Sequence, residues 1–263
     1  MNSLYFLAGK TIYYGMRVID HKLYSVSFCL SFLILVSGCQ KKPETESASS
    51  FTVEAVEQTP DVTIPAIEIA SPMKDEIVSN DFSVYFAAAG IELSDEGEHL
   101  HFMLDDGDII EHFEGNSPAN FSDVADGQHL IRVFAVKKDH TSYKSLKSFD
   151  MVTFYVNGNK AKLPIETKKP MLFLNIPSGT DETAGSNGVL LDFWVLNAKL
   201  GIYDYKVGYT LDGHEGSLFL WETYRISGLS GGKHKIMLDL IDPNGKPVLG
   251  NFNHTVRTFN ITN

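Results

Sequence analysis

Apolar and polar residues alternate along most of the chain beyond residue 66. Over residues 82–88 the apolar side of the alternation carries Phe82, Val84 and Phe86, and residues 236–240 repeat the pattern. Successive side chains of a strand point to opposite faces of a sheet, so this period of two predicts half-buried strands. Glycine, proline, asparagine and aspartate separate the runs and predict tight turns. No helical period is sustained beyond residue 38, and we predict an all-β fold.

The chain contains an internal repeat. Residues 82–86 match residues 189–193 at an offset of 107, and residues 127–129 match residues 232–234 at an offset of 105. A repeat of this length exceeds a solenoid unit and has the size of a small domain. We therefore predict two tandem domains joined by a linker. Their expected ranges are 67–158 for the first domain, 159–169 for the linker and 170–263 for the second domain.

One stretch of the second repeat carries a family resemblance. Residues 229–236 (Leu-Ser-Gly-Gly-Lys-His-Lys-Ile) and the turn Asp-Pro-Asn-Gly at 242–245 resemble the late-strand region of bacterial immunoglobulin-like or fibronectin type III-like domains. In those families a leucine, a glycine and then a histidine lead into a core strand and a tight turn. The resemblance implies that each repeat is an immunoglobulin-like antiparallel β-sandwich of about seven strands. It implies a fold and not an activity.

The longest apolar run lies near the start of the chain. Residues 23–36 form an apolar stretch of 14 residues that follows Arg17 and Lys22. Its length and basic flank are typical of a secretory signal. A run of this length is too short to span a membrane comfortably. The following Val-Ser-Gly-Cys at 36–39 resembles the lipobox of bacterial lipoproteins. That resemblance implies cleavage before Cys39 and fatty acylation of its thiol; a buried core helix is the alternative for the apolar run.

The lipobox sets the expected organisation of the N-terminal part. We expect a signal peptide at 1–38, with Met16 as the true start of translation. Residues 39–66 are rich in Glu, Thr, Ser and Pro, which predicts a lipidated cysteine followed by a disordered tether. In the lipoprotein family a residue other than Asp after the cysteine implies transfer to the outer membrane, and Gln40 fits that pattern. The expected location is the bacterial cell envelope, with the membrane contacted through the N-terminal lipid.

The net charge bears on which partners the protein can bind, and the cysteine content bears on what stabilises its fold. The formal net charge is −11, and such a surface repels phosphate backbones, so nucleic acid is not an expected partner. The two cysteines of the chain, Cys29 and Cys39, both lie in or next to the leader. No disulfide within the predicted domains is expected, and their stability must come from core burial.

Two histidines and a methionine alternate along one predicted strand. His99, His101 and Met103 share one face because they are two residues apart. Two imidazoles and a thioether suit a soft or borderline metal, copper first and zinc second. The fold does not require the triplet, because the second repeat has other residues there: Lys206, Gly208 and Thr210.

A closed metal site would need ligands from elsewhere in the sheet. Residues i and i+2 of a strand lie roughly 6.6–6.9 Å apart, so a neighbouring strand has to contribute. Glu98 and His112 are the candidates, the latter if the next strand folds back beside His101. The alternative is a solvated polar face that happens to carry histidines.

Other polar residues recur in both repeats and predict architecture. His129 and His234 each lie two residues after a glycine, which favours a structural ring hydrogen-bonded near the start of a strand. Asp105 and Asp212 each follow a leucine at a predicted strand end, and we expect their carboxylates to accept turn amides.

A ligand-binding surface is a further candidate site. Tyr203, Tyr205 and Trp221 could stack on sugar rings or form a protein-binding patch, with core filling as the alternative. Lys144 ends a polar segment, 137–144, that we expect to be a longer loop than the turn at 242–245 of the second repeat. Trp194 is out of phase with its apolar neighbours and is either exposed or packed between the domains.

No catalytic residue is predicted, because the sequence has no nucleophile elbow, zinc-protease helix motif or phosphate-binding glycine loop. The function expected first is a non-catalytic binding or structural module of the envelope, with an envelope protein or a glycan as partner and no cofactor. The alternative is a copper- or zinc-binding lipoprotein. Its expected ligands are His99, His101, Met103 and His112.

Overall fold

The computed structural model describes residues 51–58, 63–158, 164–179, 181–183 and 188–262. The leader, Cys39 and the first part of the expected tether lie outside the described residues. Within these stretches the regular elements are strands and one short 3-10 helix at Leu146–Ser148, which confirms the predicted all-β fold. A helix that could span a bilayer is not found among the described residues.

The strands form two immunoglobulin-like sandwiches, each with its own core. In chain order they are β1 (Thr52–Ala55), β2 (Ala66–Ser71), β3 (Ile77–Val78), β4 (Phe82–Ala89), β5 (His99–Leu104), β6 (Ile109–His112), β7 (Ala119–Phe121), β8 (Gly127–Val136), β9 (Phe149–Val156), β10 (Met171–Ile176), β11 (Asp181–Thr183), β12 (Val189–Leu196), β13 (Lys206–Leu211), β14 (His214–Leu218), β15 (Tyr224–Ser227), β16 (Gly232–Ile241) and β17 (His254–Thr262).

Each sandwich consists of a smaller and a larger sheet. In the first sandwich the orders are β2-β4-β7 and β3-β9-β8-β5-β6. In the second they are β1-β15-β12-β10 and β11-β17-β16-β13-β14. The paired strands are antiparallel except for β3 with β9 and β11 with β17, which are parallel. The two parallel pairs occupy equivalent places, so the internal repeat of the sequence is also a repeat of topology.

Strand β1 lies within the segment predicted to be a disordered tether, 39–66. Its residues Thr52–Ala55 pair antiparallel with Tyr224–Ser227 of β15, at the edge of the second sandwich. Phe51 and Val53 pack against the core of that sandwich. The tether prediction is therefore wrong for β1, because a free sheet edge and two apolar side chains outweigh the polar average composition of the segment.

The two sandwiches pack against each other through sheet faces. Strand β8 shows this directly: Ile131 and Val133 point into the first core, and Phe134 and Val136 on its other face are also fully buried. A strand on a solvated outer sheet would alternate buried and exposed residues, as β16 does. The second sandwich therefore covers the outer face of β8.

We call the apolar set between the sandwiches the junction. Trp194 lies at its centre without exposed surface, and its ring contacts those of Phe149, Phe134 and Trp221 at centroid distances of 4.5, 6.0 and 5.1 Å. The sequence left Trp194 either exposed or packed between the domains, and in the structure it is packed between them. The buried members of the junction are Met103, Leu130, Phe134, Val136, Phe149, Met171, Phe173, Trp194, Leu196 and Phe252.

A buried ion pair accompanies the junction. Lys144 of the first sandwich places its Nζ 2.8 Å from Asp192 Oδ1 in β12 and 2.7 Å from the Phe193 carbonyl oxygen. Ser142 donates its hydroxyl to the same carboxylate at 2.9 Å. Thr223 donates from the second sandwich at 2.6 Å. A buried charge is tolerated only when it is paired and hydrogen-bonded, and this carboxylate is both.

The recurrent His–Asp pairs have the structural role that the sequence indicates. His129 Nδ1 lies 2.7 Å from Asp105 Oδ2, and His234 Nδ1 lies 2.6 Å from Asp212 Oδ2. The other oxygen of each aspartate accepts a backbone N–H at 2.9 Å, from Leu130 in the first repeat and from Lys235 in the second. Each pair ties the turn after one strand to the start of β8 or β16.

The His129–Asp105 pair makes stability depend on pH. The hydrogen bond to Asp105 is the main cause that raises the pKa of His129 above its ordinary value. A raised folded-state pKa contributes stability that is fully present below the unfolded pKa of about 6.5 and is lost as pH rises through the folded pKa.

We therefore expect Asp105→Asn to lower the unfolding free energy more at pH 6 than at pH 8.5, because it removes the charge that pairs with the protonated ring of His129. Asparagine keeps an acceptor oxygen and tolerates the left-handed φ of 53°, so little else should change. Urea unfolding of both proteins at the two pH values measures the difference. An equal loss at both pH values would show that the charge of the pair contributes nothing.

Candidate metal centre

The site is built around the turn that follows β8. His140 donates its backbone N–H to the Lys137 carbonyl at 2.8 Å, and Gly245 of the second repeat donates to Asp242 at 2.9 Å in the same arrangement. The two turns correspond residue by residue at the offset of 105, so the expectation of a longer loop over 137–144 is wrong. Both turns fold alike because the first residue of each accepts the same hydrogen bond.

His140 occupies a backbone conformation that favours glycine. Its φ is 62°, and Gly245 has a φ of 79° at the equivalent position. Glycine adopts this region without steric cost, whereas every other residue is strained there, Asn, Asp and His least. The six other non-glycine residues with positive φ in the described chain are all Asp or Asn. The histidine side chain is therefore placed here at the expense of a strained backbone, although the turn itself forms equally well with glycine.

Four side chains from three neighbouring segments converge at this turn. His99 and His101 come from β5, Glu111 from β6 and His140 from the turn. Strand pairing places Glu111 directly opposite His101. One ligand atom from each of the four residues lies within 4.8 Å of all the others.

One distance within the cluster fits a hydrogen bond, and the distances from Glu111 are longer. Nε2 of His99 and Nε2 of His101 are 3.1 Å apart. Glu111 Oε1 lies 3.8 Å from His101 Nε2 and 3.6 Å from His140 Nδ1, which is too long for hydrogen bonds. Ligands roughly 2.0–2.1 Å from a tetrahedral zinc ion are separated by roughly 3.3–3.4 Å. The separations of 3.1, 3.6 and 3.8 Å lie on both sides of this value, and the remaining pairs of ligand atoms lie within 4.8 Å.

Both histidines of β5 can present a lone pair to a cation. His99 Nδ1 lies 3.1 Å from the Gly97 carbonyl oxygen, so Nδ1 carries the hydrogen and Nε2 carries a lone pair. His101 Nδ1 is buried and has no hydrogen-bond partner among the described residues. The ring can therefore also present Nε2 without losing a bond at Nδ1.

Burial keeps these two rings neutral. Burial is the main cause that lowers the pKa of His99, and burial together with the neighbouring His99 and His140 lowers the pKa of His101 well below its ordinary value. A neutral imidazole is the form that binds metal. At neutral pH the protein therefore needs no proton release from His99 or His101 for a cation to bind.

The site is closed on one side and open on the other. The side chains of His99 and His101 are 2% and 1% exposed, whereas those of Glu111 and His140 are 43% and 46% exposed. Phe113 lies against His99 at a centroid distance of 5.0 Å, and Phe134 against His101 at 5.5 Å. A cation can reach the buried nitrogens from the solvent side while the aromatic rings exclude water behind them.

Two of the sequence-predicted ligands do not join the cluster. Met103 shares the face of His99 and His101, but it belongs to the junction, and its sulfur accepts a hydrogen bond from Arg132 Nη2 at 3.2 Å. His112 lies on the opposite face of the sheet, where its ring packs against Phe86 and Phe102. The prediction of both as ligands is corrected, because the second sandwich takes up Met103 and the alternation of β6 turns His112 away from Glu111.

The side chains suggested as a binding surface are also dispersed. Tyr203 is 92% exposed, whereas Tyr205 and Trp221 are partly buried against the core of the second sandwich. Lys144 is held in the buried pair with Asp192. Only Tyr203 of these four is available at the surface, so the structure does not assemble them into one patch.

Sequence reasoning missed His140 and Glu111. His140 could have been found by extending the offset of 105 through the turn, because it then aligns with a glycine of positive φ. Glu111 carries no such mark, since its role depends on the register between β5 and β6. In the second repeat the four equivalent positions hold residues that could not form this site: Lys206, Gly208, Ser217 and Gly245.

Comparison with known proteins finds similarity among solved structures. No family model and no curated protein matches the chain. Among solved structures, the fibronectin(III)-like modules of Clostridium thermocellum CbhA match with 16% identity over 74% of this chain and 94% of that chain, at a TM-score of 0.28. The central fibronectin-III array of RIM-binding protein matches with 11% identity over 76% and 69%, at 0.26. CBD12 from CALX1.2 matches with 10% identity over 74% and 99%, at 0.23. These likenesses carry no argument about function, and the fold rests on the strand pairing described above.

Proposed function

We propose that this protein is a non-catalytic binding module of the bacterial envelope whose ligand is a divalent transition metal ion, zinc in the first place. The ion is held by His99, His101, His140 and Glu111. The observation that carries the proposal is the convergence of three imidazoles and a carboxylate within 4.8 Å, with the two buried imidazoles facing each other at 3.1 Å.

A metal-free explanation accounts for only part of this arrangement. One hydrogen bond from His101 to His99 would satisfy the two facing nitrogens. It leaves only long ion-pair contacts, 3.8 Å from His101 and 3.6 Å from His140, to account for the position of Glu111 beside the pair. It also gives no reason for histidine at a left-handed position where the other repeat has glycine. A bound cation explains all three features with one interaction.

The donor set favours zinc over Cu(I). The sequence suggested copper first because Met103 would have supplied a soft sulfur ligand. With Met103 bound to Arg132, the remaining donors are three imidazole nitrogens and one carboxylate oxygen. Imidazole and carboxylate ligands in tetrahedral geometry suit zinc, whereas Cu(I) prefers thiolate or thioether ligands.

Zinc binding is tested on the purified chain lacking its leader (residues 40–263). We expect isothermal titration to show one Zn²⁺ per chain, and His101→Ala to weaken binding roughly 10- to 100-fold or more because it removes a buried ligand. His140→Gly should weaken binding too, without lowering the urea midpoint, because glycine relieves the strained φ.

His254→Ala is the matched control. His254 is an exposed histidine that pairs with Asp239 on the outer sheet of the second sandwich, far from the cluster in the strand order. The His254→Ala variant should bind zinc with the same affinity as the unchanged protein. Equal zinc uptake by the His101→Ala and His254→Ala variants would overturn the proposal and leave a structural spacer as the function.

The anchoring part of the proposal rests on the leader alone. A basic flank, an apolar run of 14 residues and the Val-Ser-Gly-Cys at 36–39 support cleavage before Cys39 and acylation of its thiol. A lipid on Cys39 would hold the sandwiches at a membrane surface. The outer membrane is the expected one because Gln40 follows the cysteine.

We expect mass spectrometry of the product from a bacterial host to show an N-terminal Cys39 carrying fatty acyl groups. Cys39→Ser should move the protein from the membrane fraction to the supernatant or leave the leader uncleaved. A chain with an intact leader and a free thiol at Cys39, found in the unchanged protein, would contradict the anchoring proposal.

A further inference from the structure

We propose that metal binding in the first sandwich is coupled to the docking of the second sandwich, with Asp192 as a positioning residue of the metal site. The inference rests on the proposed function, because it concerns the regulation of the same site. The element that connects the two events is the segment 137–144, which we call the coupling segment.

One end of the coupling segment carries a metal ligand. His140 is held in its turn by its own N–H bond to Lys137, and Asp139 accepts the N–H and the hydroxyl of Thr141 at 3.1 and 2.7 Å. These bonds fix the backbone on both sides of the strained φ. The direction of the His140 ring therefore depends on the position of the whole segment.

The other end of the segment is bound to the second sandwich. Ser142 and Lys144 lie two and four residues beyond His140, and both donate to the Asp192 carboxylate of β12. Ser142 is fully buried and the side chain of Lys144 is 9% exposed. The equivalent residues of the second repeat, Pro247 and Leu249, offer no such donors. The second sandwich thus fixes the end of the segment that aims His140.

A second line of contacts joins the same two sites. The His101 ring lies against Phe134 at 5.5 Å, and Phe134 lies against Trp194 at 6.0 Å. His101 is therefore separated from the central side chain of the junction by one ring. Closely packed side chains transmit displacements because an interior has little free volume.

Coupling follows from these contacts by thermodynamic linkage. Zinc needs His140 and His101 in place, and both are held better when the second sandwich is docked. If docking raises zinc affinity, zinc must stabilise docking by the same factor. Couplings between sites in proteins are typically about 5- to 150-fold in affinity.

The test compares two ways of weakening the contact between the sandwiches. The double variant Lys144→Met/Asp192→Asn removes both charges of the pair at once, so that no unpaired charge is buried. The control Arg257→Met removes a different contact between the sandwiches, in which Arg257 Nη2 lies 2.5 Å from Asp106 Oδ1. Asp106 follows β5 at the end opposite to His99, so this contact does not involve the coupling segment.

We expect the double variant to bind zinc about fivefold more weakly or worse, and Arg257→Met to bind it within about twofold of the unchanged protein. Ser142→Ala removes a single hydroxyl and should give a smaller loss in the same direction; it decides the question if the double variant does not fold. Equal affinities in all variants, or equal losses in the double variant and the control, would overturn the coupling.

Hydrogen exchange of residues 40–263 measures the reciprocal effect, which is the stabilisation of docking by zinc. Saturating zinc should slow exchange in β10 and β12 of the second sandwich as well as in β5 and β6, and the slowing in β10 and β12 should be lost in the double variant. Slowing confined to β5 and β6 would overturn the coupling while leaving the zinc proposal intact. Absence of zinc binding by titration would overturn both.

Discussion

The covering of the outer face of the first sandwich by the second is the constraint on which the rest of the structure depends. It buries β8 on both faces and places Trp194 among side chains from both repeats. Each large apolar side chain buried in this way contributes roughly 1.5–3 kcal/mol, so the junction favours the docked arrangement of the two sandwiches. The same packing sequesters the Lys144–Asp192 pair from water.

The candidate metal centre owes its character to this covered face. On an open sheet, His99 and His101 would be solvated and would titrate near their ordinary pKa. In this structure both rings are buried, burial lowers the pKa of each, and Phe113 and Phe134 lie against them. The edge strand β6 and the turn after β8 keep the other two candidate ligands at the surface. The second repeat has the same topology, but the outer side of β16 is partly exposed, and its described residues include no comparable set of ligands.

The sequence predicted local features well and contacts between the repeats poorly. Alternation and turn residues were enough for the all-β fold, and the recurrence of His129 and His234 was enough for their structural role. Met103 was misjudged because the junction includes side chains of the second repeat that are distant in sequence, and nothing in β5 reveals that its outer face is covered. Strand β1 was missed because a single short run of alternation is lost in a polar segment. Glu111 depended on a strand register that residue spacing alone does not fix.

The central claim is that three imidazoles and one carboxylate bind zinc. X-ray absorption at the zinc edge tests it most directly, on residues 40–263 loaded with one equivalent of zinc. The account predicts a shell of nitrogen and oxygen ligands at about 2.0–2.1 Å, with the outer-shell scattering of imidazole rings and no sulfur. A sulfur ligand near about 2.3 Å would bring Met103 back into the site and contradict the arrangement described. A spectrum of hydrated zinc without imidazole scattering would contradict the site altogether.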